Sequence, residues 1–288
     1  MTQTNVYACI DGSRAMLAVC DYAAWAAGRL SAPLTLLHAL DHGPVTAEID
    51  LSGNIGLGSR EYLLQELADL DEKRARLMRE QGDLLLAKAG KRVTAAGTVP
   101  AHSLQRHGSL PDTLKELSTD IRLLVMGRQG QASDDDLGAH IGSQLESVIR
   151  TISRPTLVVT GDGEFQPPTS ILLAFDDGPS TRKCVELLAT SPLVQGLPIH
   201  LLMVGAGTPK ERAAITAAKE RLQQTGLDVV AQVRAGDVED TLLDYAQEHD
   251  IGLLVMGAYG HSRIRQFFVG STTTNMLGRS TRPLLLLR

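Results

Sequence analysis

The sequence lacks several features that define common classes of protein. It has no run of Lys and Arg and no alternation of basic with aromatic residues, and its formal net charge is −5. These absences argue against a nucleic-acid or membrane-surface role. No apolar run approaches the roughly 20 residues of a membrane-spanning helix, and the N-terminus lacks the pattern of a secretory signal. We therefore expect a cytoplasmic protein that binds neither nucleic acid nor membrane.

Cysteines and catalytic motifs are also scarce. The three cysteines are widely spaced in apolar surroundings, which is typical of small buried side chains rather than of disulfides or redox sites. None of the eight histidines forms an H-E-x-x-H or Cys/His cluster, so we expect no transition-metal site. No Gly-x-Ser-x-Gly elbow or nucleophile–base pair can be recognised, and we assign no catalytic residue.

What the sequence does contain is an internal repeat. An apolar run that ends in Asp11-Gly12 is matched by one that ends in Asp176-Asp177-Gly178, and residues 123–127 are identical to residues 253–257. A chain of 288 residues is long enough for two domains with real cores. Glycines and prolines in residues 161–169 indicate a linker. We predict a first domain at 1–160 and a second at 170–288.

Within each copy, apolar strands alternate with stretches of helical periodicity. This alternation predicts a parallel sheet with helices on both faces. We count five strands in each copy.

A glycine-rich stretch follows the strand at 253–256. Gly257 and Gly260 come directly after this strand, and Gly270-Ser271 opens a helix that we expect over 272–279. Ligands bind at the carboxyl ends of parallel strands, and a helix N-terminus attracts anions. The spacing Gly-x2-Gly-x9-Gly-Ser is neither a P-loop nor a dinucleotide fingerprint. It resembles the nucleotide-binding signature of the universal stress protein family.

The resemblance covers essentially the whole chain, as a tandem member of that family. It implies an α/β fold of two tandem copies of a five-stranded parallel-sheet α/β sandwich (adenine-nucleotide alpha-hydrolase-like), packed with pseudo-two-fold symmetry. It also implies an adenine nucleotide as ligand, ATP alone or with Mg²⁺. A second copy of the chain or an unidentified protein is the partner that it suggests.

In the second copy the resemblance assigns Asp176 to the adenosine end, with Asp177 as the competing alignment. Ala174 and Phe175 are expected to flank the base, and the main chain of Val204 to meet the adenine edge. Two structural alternatives stay open: Met256 as a core residue and Asp176 as a helix cap. The full set of nucleotide-binding candidates is Ala174, Phe175, Asp176, Val204, Met256, Gly257, Gly260, Gly270, Ser271, Thr272 and Thr273.

The first copy departs from the signature. Eleven residues separate Gly130 from Gly142, and Asp134-Asp135-Asp136 lies between them. Carboxylates beside a triphosphate would repel it, so we predict weak nucleotide binding or none in this copy. The alternative is a solvated acidic loop that points away. The corresponding positions, which we treat as a degenerate site, are Asp11, Ala39, Met126, Gly127, Gly130, Gly142 and Ser143.

The first copy also carries an insert at 41–89. Its first part, 41–59, is glycine-rich and is predicted to be a loop or lid. The second part, 60–89, has helical periodicity, and a helix of that length would be about 45 Å long and overhang the domain unless it breaks near Gly82. We expect its apolar stripe to pack on either copy, or to cover an apolar ligand pocket. The stripe comprises Tyr62, Leu63, Leu67, Leu70, Leu77, Leu84 and Leu85.

Three functions remain open from the sequence. The first is an ATP-binding stress-response or regulatory protein that changes conformation or partner surface with nucleotide occupancy. The second is an enzyme, at most a slow ATP hydrolase or adenylyl-transferring relative, for which no general base can be named. The third is a scaffold or apolar-ligand binder that uses the first domain and its insert.

Overall fold

The structure is a computed structural model that describes residues 4–41, 57–97, 101–130, 142–161, 165–258 and 271–288. The elements of the first half are β1 (Asn5–Cys9), α1 (Met16–Leu30), β2 (Leu34–Leu40), α2 (Leu57–Ala95), β3 (Ala101–His107), α3 (Leu110–Glu116), β4 (Ile121–Gly127), α4 (Ser143–Thr151) and β5 (Thr156–Val159). Those of the second half are β6 (Ile171–Ala174), α5 (Pro179–Thr190), a 3₁₀ turn (Pro192–Val194), β7 (Ile199–Val204), α6 (Pro209–Gln223), β8 (Val229–Arg234), α7 (Val238–Glu248), β9 (Leu253–Gly257), α8 (Ser271–Arg279) and β10 (Leu284–Leu287).

All ten strands form one sheet in the order β3-β2-β1-β4-β5-β10-β9-β6-β7-β8. Neighbouring strands within each half are parallel, whereas β5 and β10 pair antiparallel, with Leu157 opposite Leu285. β6 to β10 are the counterparts of β1 to β5, so equivalent strands follow in the same order from either edge of the sheet. A pseudo-two-fold axis between β5 and β10 requires this arrangement. The expected tandem α/β fold, with five parallel strands in each copy, is confirmed.

Helices cover both faces of the sheet. The strands are nearly continuous apolar runs because both of their faces are buried, as is usual for parallel sheets. One core lies beneath α1, α2, α5 and α6, and a second lies beneath α3, α4, α7 and α8. Each core contains residues from both halves of the chain.

Two arginines tie the halves together by reciprocal contacts. The Nη1 atom of Arg128 donates to the carbonyl oxygens of Leu277, Gly278 and Ser280, 3.1–3.3 Å away at the end of α8. The Nη1 atom of Arg288 donates to the carbonyl oxygens of Arg150 and Ile152 at the end of α4. Each guanidinium satisfies carbonyls that a helix end leaves unpaired and opposes the negative end of the helix dipole.

The helix of the insert differs from the sequence prediction. α2 runs unbroken for 39 residues, about 58 Å, and does not break near Gly82. Gly82 lies where the helix crosses β2 and β3, and a Cβ atom there would come within 2.6 Å of the His38 ring and 1.9 Å of Gln105 Nε2. The glycine therefore allows a close approach to the sheet rather than a kink. Of the loop predicted at 41–59, residues 57–59 instead belong to α2, and residues 42–56 lie outside the described residues.

The apolar stripe of α2 is not packed as expected. Leu85 is half-buried, but Tyr62, Leu67, Leu70, Leu77 and Leu84 are exposed. The helix instead packs through the adjoining face, with Leu86, Ala89 and Val93 buried. The expectation that the whole stripe packs against either copy is wrong, because periodicity identifies an apolar face without showing what covers it. The side chain of Leu63 lies outside the described residues.

No helix in the described ranges is both long and apolar enough to cross a membrane.

Candidate functional site

A cavity of about 420 Å³ lies at the carboxyl ends of β1, β2 and β4 in the first half. The chain leaves β1 toward β2 on one side and places β4 on the other, so the cavity is at the topological switch point where open α/β sheets bind ligands. Its volume is in the usual range for small-molecule sites. All seven first-copy candidates line it: Asp11, Ala39, Met126, Gly127, Gly130, Gly142 and Ser143.

Short backbone contacts build the glycine side of this cavity. The N–H of Gly142 donates to the carbonyl of Arg128 at 3.0 Å, which brings the start of α4 next to the end of β4. A Cβ atom on Gly142 would lie 3.3 Å from both the Arg128 oxygen and the Gly130 nitrogen. One on Gly130 would lie 3.5 Å from Asp11 Oδ2. The glycines thus let three chain segments converge beside Asp11.

Residues outside the seven candidates complete the cavity. Met78, Gln81 and Leu85 of α2 line one wall, and His38 and Arg128 contribute polar atoms. Leu85 belongs to the predicted apolar stripe of α2, whereas Met78 and Gln81 lie beside that stripe and were not assigned from the sequence. His38 Nδ1 is 2.7 Å from the carbonyl oxygen of Ile10, and a carbonyl only accepts, so Nδ1 carries the hydrogen.

Burial controls the ionisation of two groups at the cavity. It raises the pKa of the Cys9 thiol, and the nearby charge of Asp11 acts in the same direction. Cys9 is therefore a thiol at neutral pH and not a nucleophilic thiolate. Burial also lowers the pKa of the Arg128 guanidinium, whose Nε atom has no hydrogen-bond partner among the described residues.

Corresponding backbone hydrogen bonds align the second half with the first. The N–H of Phe175 donates to Leu202, as that of Ile10 donates to Leu37, at 2.9 and 2.8 Å. Asp176 therefore occupies the position of Asp11.

Local hydrogen bonds reinforce this alignment. Asp176 Oδ1 accepts from the Gly178 N–H at 2.8 Å and from the Thr181 hydroxyl at 2.6 Å. Asp11 Oδ1 similarly accepts from the Ser13 N–H, at 3.0 Å. Asp177 has a left-handed backbone, with φ of 60°, and pairs with Arg182, whose hydrogen bonds lower the pKa of that carboxyl.

The remaining second-half candidates lie at the strand ends that the alignment predicts. Ala174 and Val204 are half-buried at the ends of β6 and β7. Met256 and the ring of Phe175 are buried in the core, on opposite faces of the sheet.

On the phosphate side of the candidate site, α8 begins with Ser271, Thr272 and Thr273. Ser271 is exposed, Thr272 is half-buried, and the buried Thr273 hydroxyl lies 3.5 Å from the Ala258 carbonyl oxygen just beyond β9. Gly257 ends β9 beside α5, where an added Cβ atom would be 3.0 Å from that of Ser180. Gly260 and Gly270 lie outside the described residues, as do Asp134, Asp135 and Asp136.

In the part of the chain that the structure describes, no group of three or more His, Cys, Asp or Glu residues could hold a metal ion.

Fold and site together define a tandem α/β protein with a cavity at the switch point of its first half. A sequence model of the universal stress protein family matches residues 4–160 and 203–288. Universal stress protein Slr1230 from Synechocystis sp. is 34% identical over 288 residues, which is 99% of each chain. The chain belongs to the universal stress protein family.

Solved structures share the complete tandem fold. A universal stress protein from Archaeoglobus fulgidus DSM 4304 superposes with a TM-score of 0.75 at 17% identity, over 100% of this chain and 99% of that one. A protein of unknown function from Pseudomonas aeruginosa PAO1 gives 0.61 at 16% identity, over 99% and 92%. At these identities the likeness shows the fold alone.

Proposed function

We propose that this protein binds an adenine nucleotide, ATP in the first instance, mainly in its second domain at 170–288. The observation that carries the proposal is the start of α8, where four consecutive hydroxyl residues, 271–274, begin a helix beside the carboxyl end of β9. Unpaired N–H groups and hydroxyls at a helix start suit a phosphate. The nucleoside would lie at the adjoining switch point between β6 and β9, which is where open parallel sheets bind ligands.

The corresponding helix of the first half is less suited to phosphate. α4 begins Ser143-Gln144-Leu145, so the Thr272 and Thr273 hydroxyls have no counterparts, and Leu145 is buried in the core. Glu146 adds a negative charge in the first turn of α4, whereas the first turn of α8 has no acidic residue. These differences support the proposal that the first copy binds nucleotide weakly or not at all.

The role that follows is regulatory and cytoplasmic. Nucleotide occupancy at the switch point would bias the loops after β6 and β9, and with them a surface that a partner recognises. Turnover would be slow at most, because no general base has been assigned beside the phosphate donors. Mg²⁺ would arrive with the triphosphate, coordinated largely by water.

A matched pair of variants tests the assignment to the second domain. Ser271→Glu places a carboxylate at the start of α8, and Ser143→Glu does the same for α4; both serines are exposed, so the fold should tolerate either change. Equilibrium binding of a fluorescent ATP analogue, competed with ATP, should be lost in Ser271→Glu and retained in Ser143→Glu. The reverse pattern would move the site to the first domain, and unchanged binding in both would reject the assignment.

A second candidate function rests on the cavity of the first half. Its lining includes Met78 and Leu85 of α2 together with Leu37, Leu40 and Leu110, and these apolar side chains suit an apolar ligand rather than a phosphate. Binding of an apolar dye that Met78→Glu abolishes, with ATP binding intact, would support this function. Dye binding that Met78→Glu leaves unchanged would reject it.

A further inference from the structure

Helix α2 is much longer than the surface on which it packs. Its C-terminal part contacts α1, β2 and β3 and buries Leu86, Ala89 and Val93. Residues 65–74, in contrast, are exposed on every side of the helix. An isolated helix of that kind is marginally stable in water, so a partner that packed against the exposed part would stabilise it.

The exposed face carries leucines at coiled-coil spacing. Leu70, Leu77 and Leu84 are seven residues apart, and Leu67 precedes Leu70 by three, as at the a and d positions of a heptad. Their exposed fractions are 39% for Leu67, 60% for Leu70, 64% for Leu77 and 73% for Leu84. No described residue covers this stripe, which we call the α2 leucine face.

The charged residues in this part of α2 are segregated along the helix. Residues 66–72 contain Glu66, Asp69, Asp71 and Glu72 and no basic residue, whereas residues 73–79 contain Lys73, Arg74, Arg76 and Arg79 and no acidic residue. In an antiparallel pair of identical helices, the acidic segment of each lies beside the basic segment of the other. A parallel pair would place like charges together, which destabilises the contact.

The sheet edge at β5 and β10 is already used within the chain. These two strands pair with each other, so neither offers its edge to a second molecule. An additional copy must therefore dock on another surface, and the α2 leucine face is self-complementary in both its apolar spacing and its charges, as a two-fold interface requires.

We propose that two copies of this protein associate through the α2 leucine face. The two α2 helices pair antiparallel about a two-fold axis between Glu72 and Lys73, so that residues 66–72 of each copy lie against residues 73–79 of the other and Leu70 is within about one helical turn of the axis. The contact is independent of the nucleotide site, and it produces an assembly of four tandem-repeat domains.

Sedimentation velocity across a concentration series tests the proposal on the full chain. Wild type should show a concentration-dependent monomer–dimer equilibrium. Leu70→Glu should weaken association by at least about tenfold, since it places a charge at the centre of an apolar contact while Leu and Glu have similar helix propensities. Leu17→Glu is the matched control: Leu17 lies on α1 and is 39% exposed, as Leu67 is. It should leave the equilibrium unchanged.

A charge-reversal pair identifies the partner and the orientation. Glu66→Lys with Asp69→Lys, and separately Lys73→Glu with Arg76→Glu, should each abolish self-association, whereas a mixture of the two variants should form a heterodimer. A monomeric wild type would overturn the proposal, whether a segment of the same chain or another protein covers the face. A dimer that survives both Leu70→Glu and the charge reversals, or that Leu17→Glu also disrupts, would overturn it as well.

Discussion

Asp11 and Asp176 show how one carboxylate closes the turn after the first strand of each half. Each accepts a hydrogen bond from the N–H two residues further on, and the residue before each, just beyond the strand, donates its N–H to the next strand in the same way. The helix-cap alternative considered for Asp176 is wrong: Gly178 is the N-cap of α5 and no side chain caps this helix, whereas Asp176 Oδ1 stabilises the turn that precedes it. A ligand role for the same residue stays a prediction.

A second feature at the residue scale is an aromatic and charged cluster on the outer part of the second half. His200 Nδ1 lies 2.9 Å from the Tyr245 hydroxyl, and the rings of His200 and His249 are 5.2 Å apart. Arg234 stacks 4.4 Å above the Tyr245 ring. Burial lowers the pKa of His200, and the charge of His249 acts in the same direction, whereas Asp228 opposes them.

The lowered pKa of His200 predicts a loss of stability in mild acid. Because the unfolded chain takes up this proton more readily, the free energy of unfolding should fall as the pH decreases from about 6.5 through the folded-state pKa of His200. His200→Gln should make this decline shallower in urea unfolding measured between about pH 7 and pH 5. His102→Gln, at an exposed position on β3, is the control. Equal slopes for wild type and His200→Gln would refute the assignment.

The sequence predicted which residues lie at the strand ends better than it predicted the direction in which their side chains point. The resemblance placed Asp11, Ala39, Met126 and the first-copy glycines together, and one cavity contains them all. A strand can be recognised from its residues, and its side chains point alternately to the two faces of the sheet. Which of these faces borders a ligand site depends on the helices that pack on the sheet. The ring of Phe175, expected beside the base, lies in the core for that reason.

At the scale of elements, α2 shows what a sequence pattern leaves undetermined. The apolar and charged periodicity predicted a helix, and the helix is present. Its glycine at position 82 suggested a break, because glycine is unfavourable in helix interiors. Only the three-dimensional structure shows that His38 and Gln105 occupy the space where a side chain would project.

Replacing each of two glycines of α2 by alanine should therefore change the free energy of unfolding in opposite directions. Gly90→Ala meets no atom within 4 Å and should stabilise the protein by up to about 1 kcal/mol. Gly82→Ala forces the helix away from His38, whose ring is held by its hydrogen bond to Ile10, and should destabilise by about 1–2 kcal/mol despite the same gain in propensity. Urea unfolding of both variants measures the difference. Stabilisation by Gly82→Ala would contradict the close packing.

At the scale of the whole molecule, the two halves share one sheet and both cores. Repeats in the sequence predicted two copies and their symmetry, since every strand of the first half has a counterpart in the second. The hydrogen bonds that Arg128 and Arg288 donate across the junction between the halves were not predicted, because neither arginine has an equivalent in the other copy's sequence. Ala258 stands where Arg128 would be, as the matching bonds from residues 128 and 258 to β5 and β10 show.

The continuous sheet predicts that the chain unfolds as one unit. Trp25, the only tryptophan, lies on α1 in the first half, so its fluorescence reports on that half, whereas far-ultraviolet circular dichroism reports on the whole chain. The two urea transitions should coincide, and Arg128→Ala should shift both together to lower urea. A fluorescence transition separated from the dichroism transition would show that the halves unfold independently.

The central claim is that one tandem chain carries one working nucleotide site, in its second domain. Calorimetric titration of the nucleotide-stripped protein with ATP and Mg²⁺ tests it most directly, because the stoichiometry is measured independently of affinity. The account predicts one equivalent per chain, abolished by Ser271→Glu. Two equivalents would contradict the degeneracy of the first copy, and no binding would contradict the nucleotide function itself.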